Sequence, residues 1–212
     1  MFRTKGHEAR SKSFPSNVDD CGWENTRDAE EEVKTGLASE AKTLKIKICL
    51  VGDEGVGKTS LIRRFVHSEF DESYLKTVGT VVRKMEIELP EKGIKATLMI
   101  WDIMGRRDFM DIFKDAYSKQ TAGIVAVFDL TRPPTLDSLY EWIGRTGSSG
   151  EGVPIMVLAN KADLAERIEV RDEDIERLCA SMGCSWLKTS AKTGENVENA
   201  FSLLANEISE GF

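Results

Sequence analysis

The chain has no apolar run approaching the roughly 18 residues that would cross a bilayer as a helix, and only two histidines and four cysteines among its 212 residues. Cys21, Cys49, Cys179 and Cys184 stand at none of the short spacings that hold zinc. A chain of this length builds a core without disulfide staples. Cys49, inside an apolar run, reads as a buried thiol. Positive charge is in deficit, with 29 Lys and Arg against 36 Asp and Glu, a formal net charge of −7. A general nucleic-acid surface is not expected from that balance. The opening MFRTKGHEAR lacks the apolar stretch of a secretory signal, and Phe2 takes the place of the glycine that N-myristoylation needs. With Cys184 the last cysteine and EISEGF at the end, no prenyl signal is visible. The expectation is a cytoplasmic protein with no direct lipid anchor.

What is present suits a folded domain: 41% hydrophobic and 31% charged residues. Residues 1–43 are polar and without sustained period, which predicts a disordered extension, and residues 44–212 the folded domain. From Leu44 apolar runs alternate with amphipathic ones. Strands are predicted at 45–51, 81–89, 95–102, 123–129, 154–159 and 185–189, with a hairpin turn at 90–93. Helices are predicted at 58–66, 107–118, 135–145, 171–182 and 196–208. The near-continuous apolar runs GIVAVFD and PIMVLA fit parallel strands buried on both faces. Strand–helix alternation with one early hairpin predicts an α/β fold, an open sheet flanked by helices.

Directly after the first predicted strand comes Gly52-Asp53-Glu54-Gly55-Val56-Gly57-Lys58-Thr59, followed by Ser60, a fit to G-x-x-x-x-G-K-[ST]. Glycines let successive N–H groups curl around an anion at the positive end of the next helix. Lys58 would reach the β- and γ-phosphates and the Thr59 hydroxyl would ligate Mg²⁺. Asn160-Lys161-Ala162-Asp163, after the strand at 154–159, selects the base. The Asp163 carboxylate can accept from guanine N1–H and its exocyclic amine. Adenine offers neither donor, so ATP leaves a carboxylate unpaired and is rejected. Lys161 can lay its apolar stem along the base. In Ser190-Ala191-Lys192, the Ala191 N–H could meet guanine O6. A P-loop kinase or ATPase is disfavoured by this base-reading set.

These motifs, together with FDESYLKTVGT at 70–80 and WDIMG at 101–105, resemble the Ras-like small GTPases, most of all the Rab-type branch, over residues 44–209. The resemblance implies a P-loop NTPase fold with a six-stranded, mostly parallel sheet and about five helices, carrying GTP or GDP and Mg²⁺ at the strands' C-terminal edge. It also implies that Phe70 lies near the guanine, Tyr74 closes over the phosphates, and Thr77 binds Mg²⁺ when the γ-phosphate is present. Asp102 would hold Mg²⁺ through water, and the Gly105 N–H would meet the γ-phosphate. Loss of that phosphate would release both switch loops. Effectors, exchange factors and GAP-like proteins would engage those loops.

Two residues depart from the family. Relatives read DTAGQE where this chain reads Asp102-Ile103-Met104-Gly105-Arg106-Arg107, so Arg106 replaces the glutamine that orients water. Glu54 stands where relatives favour a small residue. A carboxylate about 5 Å from a phosphate charge costs up to roughly 3 kcal/mol at an effective dielectric near 20. Either both changes disturb water positioning, which costs on the order of 10² in rate, or Glu54 and Arg106 compensate each other, with Arg106 acting as an arginine finger in cis. The expectation is a guanine-nucleotide switch with slow hydrolysis, involving Lys58, Thr77, Gly105 and Arg106. A GTP-locked adaptor is the alternative. Trp101 is expected to be core packing, and His67 a surface residue.

Overall fold

The computed structural model describes residues 42–70, 79–105, 119–146 and 152–212. The expectations for the extension before residue 42, for Tyr74, Thr77 and Arg106, and for the helix at 107–118 lie outside these residues.

Among the described residues six strands form one sheet: β1 (Lys42–Val51), β2 (Thr80–Leu89), β3 (Ile94–Ile103), β4 (Gly123–Asp129), β5 (Ile155–Asn160) and β6 (Ser185–Lys188), in the order β2-β3-β1-β4-β5-β6. Only β2–β3 is antiparallel; β1 pairs in parallel with β3 and β4, and β5 with β4 and β6. The β2–β3 hairpin turns through a short 3-10 segment, Pro90–Lys92. The mostly parallel α/β sheet matches the expected class. Because β1 lies between β3 and β4, the direction in which strands are added reverses beside it: β2 and β3 lie on one side of β1, and β4, β5 and β6 on the other. The crevice at such a reversal, beyond the carboxyl ends of the strands, is where α/β sheets bind ligands.

Side-chain alternation on β1 decides the two cores. Leu44, Ile46, Ile48 and Leu50 point to one face and join Leu61, Ile62 and Phe65 of α1 (Lys58–His67) and Phe201, Leu204 and Ile208 of α5 (Val197–Ser209). Phe65 and Phe201 stack with centroids 4.3 Å apart. Cys49 and Val51 point the other way, into a cluster with Leu139, Trp142 and Ile143 of α3 (Leu139–Arg145) and Ile175, Leu178 and Cys179 of α4 (Asp172–Met182). Every residue of β4 and β5 is buried, as their unbroken apolar runs require. Cys49 is fully buried, and burial raises its thiol pKa.

Two expectations are corrected. The helix foreseen at 135–145 is divided into α2 (Pro134–Asp137) and α3, with its seam at Ser138. The single proton of the Ser138 hydroxyl is shared between Asp53 Oδ2 at 2.8 Å and the Thr135 carbonyl at 3.0 Å, drawing this turn toward the loop after β1. Trp101 is not sealed in the core: it is partly exposed, packs against the second cluster, and carries the Lys47 ammonium 4.6 Å from its ring centroid. A cation over an indole face is attracted by the ring's negative centre. His67 is exposed at the end of α1, as its sequence context suggests.

Candidate functional site

The phosphate loop, Gly52 to Gly57, joins β1 to α1 at the carboxyl edge of the sheet. Its conformation needs glycine. Gly57 takes φ +103°, in the left-handed region that L side chains rarely adopt, and a Cβ there would overlap the Asn160 amide. That amide donates from Nδ2 to the Val56 carbonyl at 2.8 Å. Val56 is fully buried and anchors the loop's middle to the first core. Ser60 sits in the first turn of α1.

Lys58 is buried, and its ammonium donates to the carbonyls of Gly52 at 2.7 Å and Asp53 at 2.9 Å. It thus lies across the mouth of its own loop. Gly105 stands opposite: a Cβ there would overlap the Lys58 ammonium and come within 2.7 Å of the Asp53 carbonyl. The Asp53 carboxylate accepts from Ser138 Oγ and Trp142 Nε1, each at 2.8 Å.

Burial strips water from the Lys58 ammonium and lowers its pKa from 10.5 to about 8, against the opposing pull of Asp102, Asp53 and Glu54. Between those values the unfolded chain keeps a proton that the folded protein has lost, so this group makes unliganded stability rise with pH in that window. A polyphosphate arriving at the loop favours the ammonium and draws the proton back. GDP titrations at about pH 8.5, in buffers of different ionisation enthalpy, are expected to show proton uptake that fades toward about pH 7. Buffer-independent heats at both pH values would contradict it.

Thr59 and Asp102 meet at the first turn of α1. The threonine hydroxyl donates to Asp102 Oδ2 at 2.6 Å. Asp102 is fully buried, and its Oδ1 has no hydrogen-bond partner among the described residues. Burial raises the carboxyl's pKa, opposed by the Thr59 hydrogen bond and the charges of Lys58, Arg83 and Arg63. A buried carboxylate oxygen without a partner, beside a hydroxyl oxygen, fits a hard divalent cation such as Mg²⁺.

The residues expected to read the base come together in the loops after β5 and β6. Asp163 Oδ1 accepts from Ser190 Oγ at 2.6 Å, leaving the other oxygen available among the described residues. Ala191 N–H donates to Asn160 Oδ1 at 3.2 Å, so the role expected for it toward guanine O6 requires that this bond be shared or exchanged. Lys192 and Ala191 are held from below by Arg64 of α1, whose guanidinium donates to both carbonyls. Phe70, partly buried, packs against the first core cluster.

Sequence reasoning missed the group between the two loops. Asp129, the last residue of β4, is fully buried. It accepts from Lys161 Nζ at 2.6 Å, Arg132 Nε at 2.8 Å, and the Thr131 N–H and hydroxyl at 2.9 and 2.7 Å. Burial raises its pKa, but the Lys161 and Thr131 hydrogen bonds outweigh that and hold it below the ordinary value. The available signal was a carboxylate closing an otherwise apolar central strand. Lys161, expected along the base plane, has its ammonium anchored here.

The model of the Ras family matches residues 47–210. Ras-related protein Rab-8B from Homo sapiens is 38% identical over 163 residues, 76% of this chain and 77% of its own length. Rab-8A from Bos taurus is 37% identical over 163 residues, with 76% and 77% covered. Rab-13 from Bos taurus is 35% identical over 163 residues, with 76% and 79% covered. The matched span runs from the middle of β1 through α5, so it holds the described sheet apart from the start of β1, together with both nucleotide-type loops, and the chain belongs to the Ras family as a Rab-type small GTPase.

Proposed function

We propose that the protein is a Mg²⁺-dependent guanine-nucleotide switch of the cytoplasm whose intrinsic GTP hydrolysis is slow. GTP binding and hydrolysis come with the family; the slowness is inferred from this chain's own departures. One contrast carries the reading. The Lys58, Thr59–Asp102 and Asp163–Ser190 groups that serve binding are assembled, whereas Glu54 lies within the phosphate loop and Arg106 follows Gly105.

In hydrolysis, water attacks the γ-phosphorus, the bond to the β–γ bridging oxygen breaks, and GDP and inorganic phosphate leave. Lys58 and the loop N–H groups would stabilise the negative charge that develops. Mg²⁺, held through Thr59 and Asp102 and completed by Thr77, would supply further positive charge at the phosphates. Glutamine's carbonyl can accept a hydrogen bond from the attacking water, whereas arginine offers donors only, so Arg106 orients the nucleophile poorly. The segments at 70–80 and 102–108 are the surfaces proposed for effectors, exchange factors and GAP-like proteins.

Single-turnover phosphate release from protein preloaded with GTP and Mg²⁺ tests this. Arg106→Gln is expected to accelerate release by roughly 10- to 100-fold. Fast wild-type release that the variant abolishes would instead make Arg106 a participant in the chemistry. Release undetectable in both would favour the GTP-locked adaptor. Adding Glu54→Gly completes a double-mutant cycle, and non-additive rates would reveal the compensating pair.

A further inference from the structure

We infer that Arg132 is a positioning residue for the nucleotide's phosphates, fixing the Glu54–Gly55 peptide of the phosphate loop from behind and joining it through Asp129 to the lysine of the base-reading loop. The inference rests on the guanine-nucleotide reading above.

Arg132 follows β4 in a turn that leaves its backbone little freedom. Its N–H donates to the Asp129 carbonyl at 2.9 Å, and its own carbonyl accepts from the Thr135 N–H at 2.9 Å and hydroxyl at 2.7 Å. The guanidinium then forks. Nε donates to Asp129 Oδ2 at 2.8 Å, and Nη2 donates to the Glu54 carbonyl at 3.2 Å. A guanidinium has donors in a rigid plane, so fixing Nε on a buried carboxylate aims Nη2 at one place. That carboxylate is 1% exposed and is also held by Lys161, so the anchor is firm.

A trans peptide sets its C=O and the following N–H in opposite directions. Holding the Glu54 carbonyl outward toward Arg132 therefore turns the Gly55 N–H the other way. In a phosphate loop the N–H groups collected on one side make the anion nest. Without the tie, the Glu54–Gly55 peptide loses this restraint, and its rotation would remove one donor from that nest. Geometry outweighs bare charge here. The Arg132 side chain is 44% exposed, so its field at the phosphates is screened by water, whereas a directed hydrogen bond to a peptide carbonyl is not lost in that way.

The test compares Arg132→Ala and Arg132→Lys with the wild type, using fluorescent GDP displaced by unlabelled GDP or GMP, alongside thermal melting. Arg132→Ala is expected to lower the preference for GDP over GMP by about tenfold, the worth of one well-placed charge-assisted hydrogen bond. GMP affinity should change much less, since GMP lacks the β-phosphate. Arg132→Lys keeps the charge beside Asp129 but cannot fork to both acceptors, so it should recover melting temperature more fully than GDP preference. Equal losses for GMP and GDP in the alanine variant would make Arg132 a mere structural tie and overturn the inference. So would an unchanged GDP-to-GMP ratio. Failure of the wild type to bind labelled GDP at all would instead count against the guanine-nucleotide reading, whatever the variants do.

Discussion

Replacing Asp163 with asparagine is expected to weaken GDP binding on the order of 10³-fold while leaving the fold intact, because two hydrogen bonds to a charged acceptor are each worth about 1.5–3 kcal/mol. The carboxylate lies in the turn after β5 with Oδ1 engaged by Ser190 at 2.6 Å. An asparagine carbonyl can accept that same bond, so the loop keeps its local support and melting should shift little. The base loses more. An asparagine side chain presents an N–H toward guanine's donors, replacing attraction with opposed donors. Xanthine carries a carbonyl where guanine has its amine, so the variant should bind XDP in preference to GDP. Competition against labelled GDP and XDP reads both changes. A GDP affinity within threefold of wild type, with unchanged melting, would show that Asp163 does not read the base.

How far such residues can be foreseen depends on whether their partners are near in sequence. Alternation on β1 and the unbroken apolar runs of β4 and β5 report local burial, and those strands appear within about three residues of where periodicity puts them. The phosphate loop is equally local, since glycine, lysine and threonine follow each other along one turn. Arg64 gives no such signal. It looks like an ordinary basic residue on an amphipathic helix, yet it supports carbonyls at Ala191 and Lys192 that only the closed fold brings beneath it. Asp53 was readable as a member of the phosphate loop, but its capture by Ser138 and Trp142 was not. That contact crosses about 85 residues and exists because β1 and β4 are neighbours in the sheet. Arg132 lies only three residues from Asp129, but the partners that give this pair its joint role, Lys161 and the Glu54 carbonyl, come from other strand ends and are hidden for the same reason.

Exchanging Asp102 for asparagine is expected to remove the dependence of nucleotide release on Mg²⁺, the largest effect foreseen outside the base site. The wild-type carboxylate is fully buried with Oδ1 unpartnered, and burial raises its pKa. The folded protein without a cation therefore holds this proton more tightly than the unfolded chain does. Unliganded stability from this group falls as pH rises through the interval above 3.8 and up to the raised folded value. A divalent cation beside the carboxylate reverses that cost, since charge at about 4 Å contributes on the order of 4 kcal/mol per unit charge at an effective dielectric near 20. Asparagine has the same shape and can still accept from Thr59, but supplies no charge for the cation. In the wild type, chelating Mg²⁺ should speed GDP release by at least about 100-fold, roughly 3 kcal/mol of that attraction. In Asp102→Asn, release should already be fast and chelation should change it less than threefold. The variant should also lose the Asp102 component of the acid-range stability profile, a readout that needs neither nucleotide nor metal. A variant whose GDP release still slows with Mg²⁺ as the wild type's does would place the cation elsewhere, whereas loss of both behaviours together ties the buried, unpartnered oxygen to the metal.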